Sequence, residues 1–167
     1  MTTLTWSDAL ALDLPIMDET HQEFVELLAQ VDRASGATLL PAWEALVAHT
    51  EDHFGREDEW MVATGFASAN CHSMQHRAVL GAMREGLAAG RDTAKQHALI
   101  REMAGALGPW FVQHAQTMDA ALALHLRGVG YDAETGEVHA PDALPQNLIT
   151  SCGSSTCGDR KAESAVS

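Results

Sequence analysis

Residues 43–60 read WEALVAHTEDHFGREDEW. Within them Trp43, Leu46, Thr50, His53, Glu57 and Trp60 follow one another at steps of 3, 4, 3, 4 and 3. That alternation holds one stripe of an α-helix against its neighbours and forms the seam of a helical bundle. The helix is expected to begin near Pro41, a residue tolerated in a first turn, and to run to about Ala63, where Thr64-Gly65 stops it. Two members of the stripe, His53 and Glu57, are ionisable and lie one turn apart. Placing them on an inward face costs free energy unless something pairs them there.

The flanking segments repeat this arrangement. Upstream, Asp18 and Thr20 offer caps, with Thr20-x-x-Glu23 as a capping box, for a helix running to about Ala34. Its stripe is Phe24, Leu28 and Val31, which His21 continues at i−3. Trp6, Leu10, Leu12, Leu14 and Ile16 show no helical period, so residues 1–17 read as an arm lying on the domain. Downstream, a helix is expected from near Ser68 to before Gly90, with His72, His76, Val79 and Met83 on one face. Thr93-x-x-Gln96 opens a last helix to about Arg127, with Leu107, Trp110, Phe111, His114, Met118, Ala121 and His125 as its inner stripe. Gly105, Gly108 and Pro109 interrupt it, which predicts a kink about one turn before His114.

Four helices with short connections imply an all-α, antiparallel up-down four-helix bundle over residues 1–127. From Gly128 the amphipathic period stops. Residues 128–167, which include Cys152 and Cys157, read as a flexible, mostly disordered tail whose cysteines have no assigned role.

Five imidazoles (His21, His53, His72, His76, His114) and two carboxylates (Glu57, Asp119) thus sit on or near inward stripes of four helices. One buried histidine is ordinarily explained by a core hydrogen bond, but seven convergent ligand-type side chains are not. In H-x3-E and H-x3-H the two side chains project to the same side, so each pair can address one metal centre. The mixed nitrogen and oxygen set suits a pair of first-row transition metals better than magnesium or calcium, which prefer oxygen alone. His114-x4-Asp119 fits less simply, because five residues turn an ideal helix by about 140°. The two side chains could still flank the axis from either side, and a π-bulge, common at functional sites, would also bring i and i+5 together. The chain has no Glu-x-x-His pair of the ferritin-like type, no His-Glu-x-x-His, and no second cysteine beside Cys71 for a zinc knuckle.

The chain has 167 residues, enough for one domain with a substantial core. Its net charge of −13 disfavours nucleic acid and anionic membranes as partners. No run approaches the ~18 apolar residues of a membrane span. The N-terminus lacks the basic-then-apolar pattern of a signal peptide. Three cysteines without framework spacing suggest a reducing compartment, with the cytoplasm as the expected location.

Over residues of about 6–127 the chain resembles the single-domain bacterial hemerythrins. The likeness is carried by Trp6, by Ile16-Met17-Asp18-Glu19-Thr20-His21, by His53-Phe54 with Glu57, and by Met61 and Gly65-Phe66. It extends to His72-x3-His76 and to Trp110 one turn before His114-x4-Asp119. The resemblance implies a non-haem centre of two iron ions with an oxo or hydroxo bridge. His72, His76 and His114 would hold one iron, His21 and His53 the other, and Glu57 and Asp119 would bridge them. It further implies reversible binding of O2, for storage, delivery or sensing, at the iron with an open position. Trp110, Phe111 and Ala115 would line the O2 pocket. Ala115 stands where the family usually carries a bulky aliphatic side chain. That departure, with the Gly108-Pro109 break one turn before His114, leaves open a di-iron enzyme acting on peroxide, nitric oxide or ferrous iron; a third reading is an iron-handling or interaction module in which the centre is structural and the cysteine tail is the working part. An O2-binding protein is the expectation favoured over an enzyme.

Overall fold

A computed structural model describes residues 4–88 and 93–151. Five α-helices make up most of it: α1 (Pro15–Arg33), α2 (Leu39–Ala63), α3 (Cys71–Ala88), α4 (Thr93–His114) and α5 (Ala120–Val129). A π-helical turn, Ala115–Asp119, joins α4 directly to α5, so the last two form one long rod. Among the described residues there is no strand, only two isolated bridges, and no helix is long and apolar enough to cross a membrane. Helix α1 packs on α2, α2 on α3, α3 on α4, and α4 returns to α1, which makes a helical bundle.

The seam of α2 is as the spacing predicts: Trp43, Leu46, Thr50, His53, Glu57 and Trp60 are all buried. Two apolar clusters result. One gathers Phe24, Leu28, Trp43, Leu46, Ile100, Phe111 and Ala115; the other gathers Met17, Trp60, Met61, Phe66, Leu122 and Leu126. Along α1, α2 and the α4–α5 rod, the ligand-type residues fall in sequence between members of one cluster and members of the other. The polar residues therefore occupy the middle of the bundle, sealed by apolar packing on both sides.

Several boundaries differ from the sequence expectation. Helix α1 starts at Pro15, where the fixed φ of proline suits a first turn. Thr20 is therefore not a cap; its hydroxyl donates to the Ile16 carbonyl at 2.7 Å. Asp18 instead accepts the Leu12 backbone N–H at 2.7 Å and ties the N-terminal arm to the helix. Helix α3 starts at Cys71 rather than near Ser68, because Asn70 caps it by accepting the Ser73 N–H at 3.1 Å. The side-chain amide nitrogen of Gln96 donates to the Gly86 carbonyl at 3.1 Å and ties α4 to α3.

Nor is the long rod interrupted at Gly105, Gly108 and Pro109, since α4 continues through all three. Gly105 and Pro109 are exposed, so water can satisfy the carbonyl that proline deprives of a donor. The irregularity begins six residues past Pro109, at Ala115, and it shifts the register. A π-turn inserts one residue into the helical repeat. Beyond it the buried positions are Asp119, Leu122, Ala123 and Leu126, not the Met118, Ala121 and His125 that an unbroken period predicts.

The chain past Gly128 is hydrogen-bonded as far as it is described, where the sequence predicts a structureless tail. Gly130 closes α5 in the left-handed conformation, and His139 N–H donates to its carbonyl at 2.9 Å. Further on, Ile149 exchanges backbone hydrogen bonds of 2.9 Å with Gly65 and Ala67, laying the strap beside the α2–α3 turn. Gly65 has φ +101, and a β-carbon there would run into the Pro145 ring. This order comes from backbone bonding to a turn and leaves no periodic trace in the sequence. Cys152 and Cys157 lie outside the described residues.

Trp43 and Gly86 supply a test of the packing. The indole N–H of Trp43 donates to the Met83 carbonyl at 3.1 Å, and a β-carbon on Gly86 would sit 2.8 Å from that nitrogen. On an open helix face Gly→Ala gains about 1 kcal/mol. Here G86A is expected to destabilise by ~1–3 kcal/mol through overpacking. Urea denaturation checks the sign, and a more stable G86A would show that the α2–α3 contact is looser than described.

Candidate metal centre

All seven side chains singled out in the sequence meet in the bundle core. His21, Glu57, His72 and Asp119 are 0 % exposed, and His53, His76 and His114 are buried with them. Each comes from its own local rule. His53 and Glu57 are one turn apart on α2, and His72 and His76 one turn apart on α3. His114 and Asp119 share a face because the π-turn runs between them.

Their polar atoms are arranged oxygen by oxygen. Glu57 Oε1 lies 3.0 Å from His53 Nε2 and 3.8 Å from His21 Nε2. Its other oxygen, Oε2, lies 3.4 Å from His76 Nε2 and 3.5 Å from His72 Nε2. Asp119 divides in the same way. Its Oδ2 is 3.2 Å from His21 Nε2, while Oδ1 is 3.0 Å from His72 Nε2 and 3.1 Å from His114 Nε2. Glu57 thus turns one oxygen to His53 and His21 and the other to His76 and His72, while Asp119 turns one oxygen to His21 and the other to His72 and His114, so each carboxylate divides its oxygens between the two histidine sets. Ligand atoms converge in two overlapping groups, one of Glu57, His72, His76, His114 and Asp119, the other of His21, His53 and Glu57.

These short separations are not a set of satisfied hydrogen bonds. Among the described residues, the buried side-chain atoms without a hydrogen-bond partner belong to five residues of this cluster: His21, His53, Glu57, His72 and Asp119. They include both ring nitrogens of His21 and of His72 and both oxygens of Asp119. His76 Nε2 and His114 Nε2 face each other at 3.1 Å, where two lone pairs or two protons repel. Buried polar atoms are nearly always paired in native proteins, and an exception calls for an ion or another partner. Lone pairs aimed at shared points, with close approach but poor mutual alignment, fit cations held among them.

The electrostatics agree. Burial opposes ionisation of Glu57 and Asp119, yet the surrounding imidazoles hold both carboxyls well below the usual carboxylate range. Burial likewise opposes a charge on His21 and His72, but Asp119 and Glu57 raise both to about 9. Burial lowers His53. Two buried anions need positive charge beside them, supplied by protons on imidazoles or by metal ions.

Aromatic side chains enclose the cluster. The Phe111 ring meets His21 edge-on at 5.1 Å and stacks on Phe24 at 4.6 Å. Trp110 lies over His114 at 4.6 Å, and Phe54 over His76 at 3.9 Å. Trp110 and Phe111, neighbours in sequence, thus border different parts of the centre, while Ala115 is fully buried beside Phe111 in the apolar cluster. The other histidines take ordinary places. His49 and His125 bond the Thr20 and Thr64 carbonyls at 3.2 and 2.9 Å, and His139 is exposed. Sequence reasoning missed two outer partners of the ligands, Asp58 and Gln75. Both are half-buried and belong to no periodic stripe.

Comparison with known proteins bears on this geometry. The family described as "Hemerythrin HHE cation binding domain" matches residues 12–124. A bacteriohemerythrin of Ralstonia nicotianae is 38% identical over 135 residues, covering 80% of this chain and 96% of that protein. A bacteriohemerythrin of Pseudomonas aeruginosa is 27% identical over 127 residues, covering 72% of this chain and 79% of its own. One of Stenotrophomonas maltophilia is 25% identical over 130 residues, covering 74% and 81%. No solved structure matches the chain. With the family match spanning all seven convergent side chains, and with the Ralstonia relative aligned over nearly its whole length, the chain belongs to the hemerythrin family.

Proposed function

We propose that this chain is a non-haem di-iron protein that binds O2 reversibly. The observation that carries the reading is the division of Glu57 and Asp119: Glu57 has one oxygen toward His21 and His53 and the other toward His72 and His76, and Asp119 has one toward His21 and the other toward His72 and His114. A site for one ion needs no such sharing. In this reading His72, His76 and His114 would hold one iron, His21 and His53 would hold the other, and Glu57 and Asp119 would serve both. The two-histidine side has fewer protein donors and is the side for an external ligand. When bound, the iron pair supplies electrons to a small diatomic ligand and recovers them on its release.

The protein's own part is to hold the ligands and keep water out. Phe24 and Phe111 close the His21 side with stacked rings, and Ala115 lies buried beside them. Trp110 packs on His114. Support for the wider reading comes from chain order. Helix α1 runs from the Met17 cluster to the Phe24 cluster, α2 runs back, and α4–α5 runs back again, as an antiparallel up-down bundle requires. All seven ligands lie before Arg127, which supports a bundle domain over 1–127 with 128–167 appended. The odd cysteine count supports a cytoplasmic setting. Oxygen storage, delivery and sensing share this chemistry.

One observation favours a second reading. Ala115, directly after His114, leaves less bulk beside the centre than a larger aliphatic would, and easier exchange of water or anions suits an enzyme acting on peroxide, nitric oxide or ferrous iron. Ferrous protein loaded without oxygen and then exposed to O2 separates the two. The expected result is a new visible absorption that disappears when O2 is removed, with the ferrous state recovered. Irreversible oxidation in one exposure, or steady consumption of peroxide, would overturn reversible binding.

A substitution tests the role of Ala115 itself. Ala115→Ile adds about three carbons at a fully buried site and is expected to cost ~1–3 kcal/mol of stability through overpacking. If position 115 borders the ligand pocket, oxidative decay of the O2-bound protein should slow by about tenfold, ~1.4 kcal/mol of barrier. A folded, iron-loaded variant that decays at the wild-type rate or faster would place Ala115 away from the pocket.

A further inference from the structure

The two halves of the centre are supported differently from behind. His76 Nδ1 lies 3.0 Å from Asp58 Oδ1, and His114 Nδ1 lies 3.2 Å from Gln75 Oε1. Each of these oxygens accepts a hydrogen bond from the N–H of the ring nitrogen that faces away from the cluster. Such a bond fixes the tautomer, so the Nε2 lone pair is the one directed inward. Each ring is also covered on a face: Phe54 stacks on His76 at 3.9 Å and 7°, and Trp110 on His114 at 4.6 Å and 23°. Rotation about the ring axis and tilting of the ring plane are both restrained. His21, His53 and His72 have no such support, because Nδ1 of each is buried without a hydrogen-bond partner, so two of the three rings in the larger set are held from behind and neither ring of the smaller set is.

The supports are also laced across helices. Asp58 on α2 reaches His76 on α3, and Gln75 on α3 reaches His114 at the end of α4. The two differ in kind. Asp58 is a carboxylate, able to draw the Nδ1 proton and make His76 the stronger electron donor, whereas Gln75 is a neutral amide that orients without adding charge. Asp58 is 35% exposed in its side chain, so it sits at the rim of the core rather than inside the ligand set.

We propose that Asp58 is a positioning residue for the metal centre, seconded by Gln75, and that it makes the His72–His76–His114 half the tighter of the two metal sites. The inference rests on the di-iron reading. It predicts ordered loading, with the first metal equivalent entering the better supported half and the second entering the His21–His53 half, whose rings have no hydrogen bond behind them.

Metal-free protein titrated with Co(II) against a competing chelator tests this without any O2 chemistry, because the visible bands of Co(II) report ligand geometry at each equivalent. D58A is expected to weaken the first equivalent by roughly 10- to 100-fold, the range for loss of such outer partners. Its bands should shift while the second equivalent is unchanged. D58N keeps an acceptor oxygen and should restore most of the affinity; Q75A should weaken the same equivalent to a smaller extent. E59A, at the exposed neighbouring position, should leave both equivalents as they are. Wild-type affinity and bands in a folded D58A, or equal weakening of both equivalents, would overturn the proposal. A wild-type chain that takes up two equivalents alongside such a D58A confines that failure to Asp58. A wild-type chain that takes up none would remove the di-iron reading and this inference together.

Discussion

Two carboxylates held in a core, with three of their four oxygens lacking a hydrogen-bond partner, are the constraint on which the rest of this structure depends. Glu57 and Asp119 are 0 % exposed, and Glu57 Oε2 and both oxygens of Asp119 lack a hydrogen-bond partner. An isolated buried carboxylate is so costly that it ordinarily takes up a proton. Here five imidazoles surround the pair and hold both as anions. The bundle is in effect a device for bringing those imidazoles together from separate helices. Remove the positive charge of protons or metal from the imidazole shell, and the core would hold two uncompensated negative charges.

That demand explains the one irregular element of the backbone. A straight α-helix cannot present His114 and Asp119 to the same point, since five residues rotate it by about 140°. The π-turn at Ala115–Asp119 resolves this, and the register shift it imposes is carried to the end of α5. Leu122 and Leu126 become core residues of the second apolar cluster, while His125 moves to the rim and bonds the Thr64 carbonyl. A local adjustment made for one ligand thus decides what packs against Met17, Trp60 and Phe66 at that end of the bundle. The aromatic enclosure follows the same logic, because rings that seal the core also lie flat on, or edge-on to, the ligand imidazoles.

The parts of the fold governed by period were legible in the sequence. The 3-4 seam of α2 appears residue for residue as a buried stripe, and the i, i+4 pairs fall where helical geometry puts them. The π-turn was legible as a consequence of the His114–Asp119 spacing, yet its effect on later residues was not, because an unbroken period assigns Met118 and Ala121 to the core. Interactions outside the period were hidden. Asn70 caps α3 from a turn, and Asp18 bonds the arm rather than opening a helix. The strap reaches Gly65 and Ala67 through backbone groups that any sequence possesses. Asp58 and Gln75 lie at half-exposed positions where polar residues are ordinary, so only the coordinates connect them with His76 and His114. Pro109, on an exposed face, does not end the helix.

The central claim is that Glu57 and Asp119 each serve two cations at once. The most direct measurement is the iron content of the purified, anaerobically loaded chain, taken together with its magnetic coupling. The account predicts two irons per chain, magnetically coupled through the shared carboxylates. One metal ion per chain, or two irons that behave as independent centres, would contradict it.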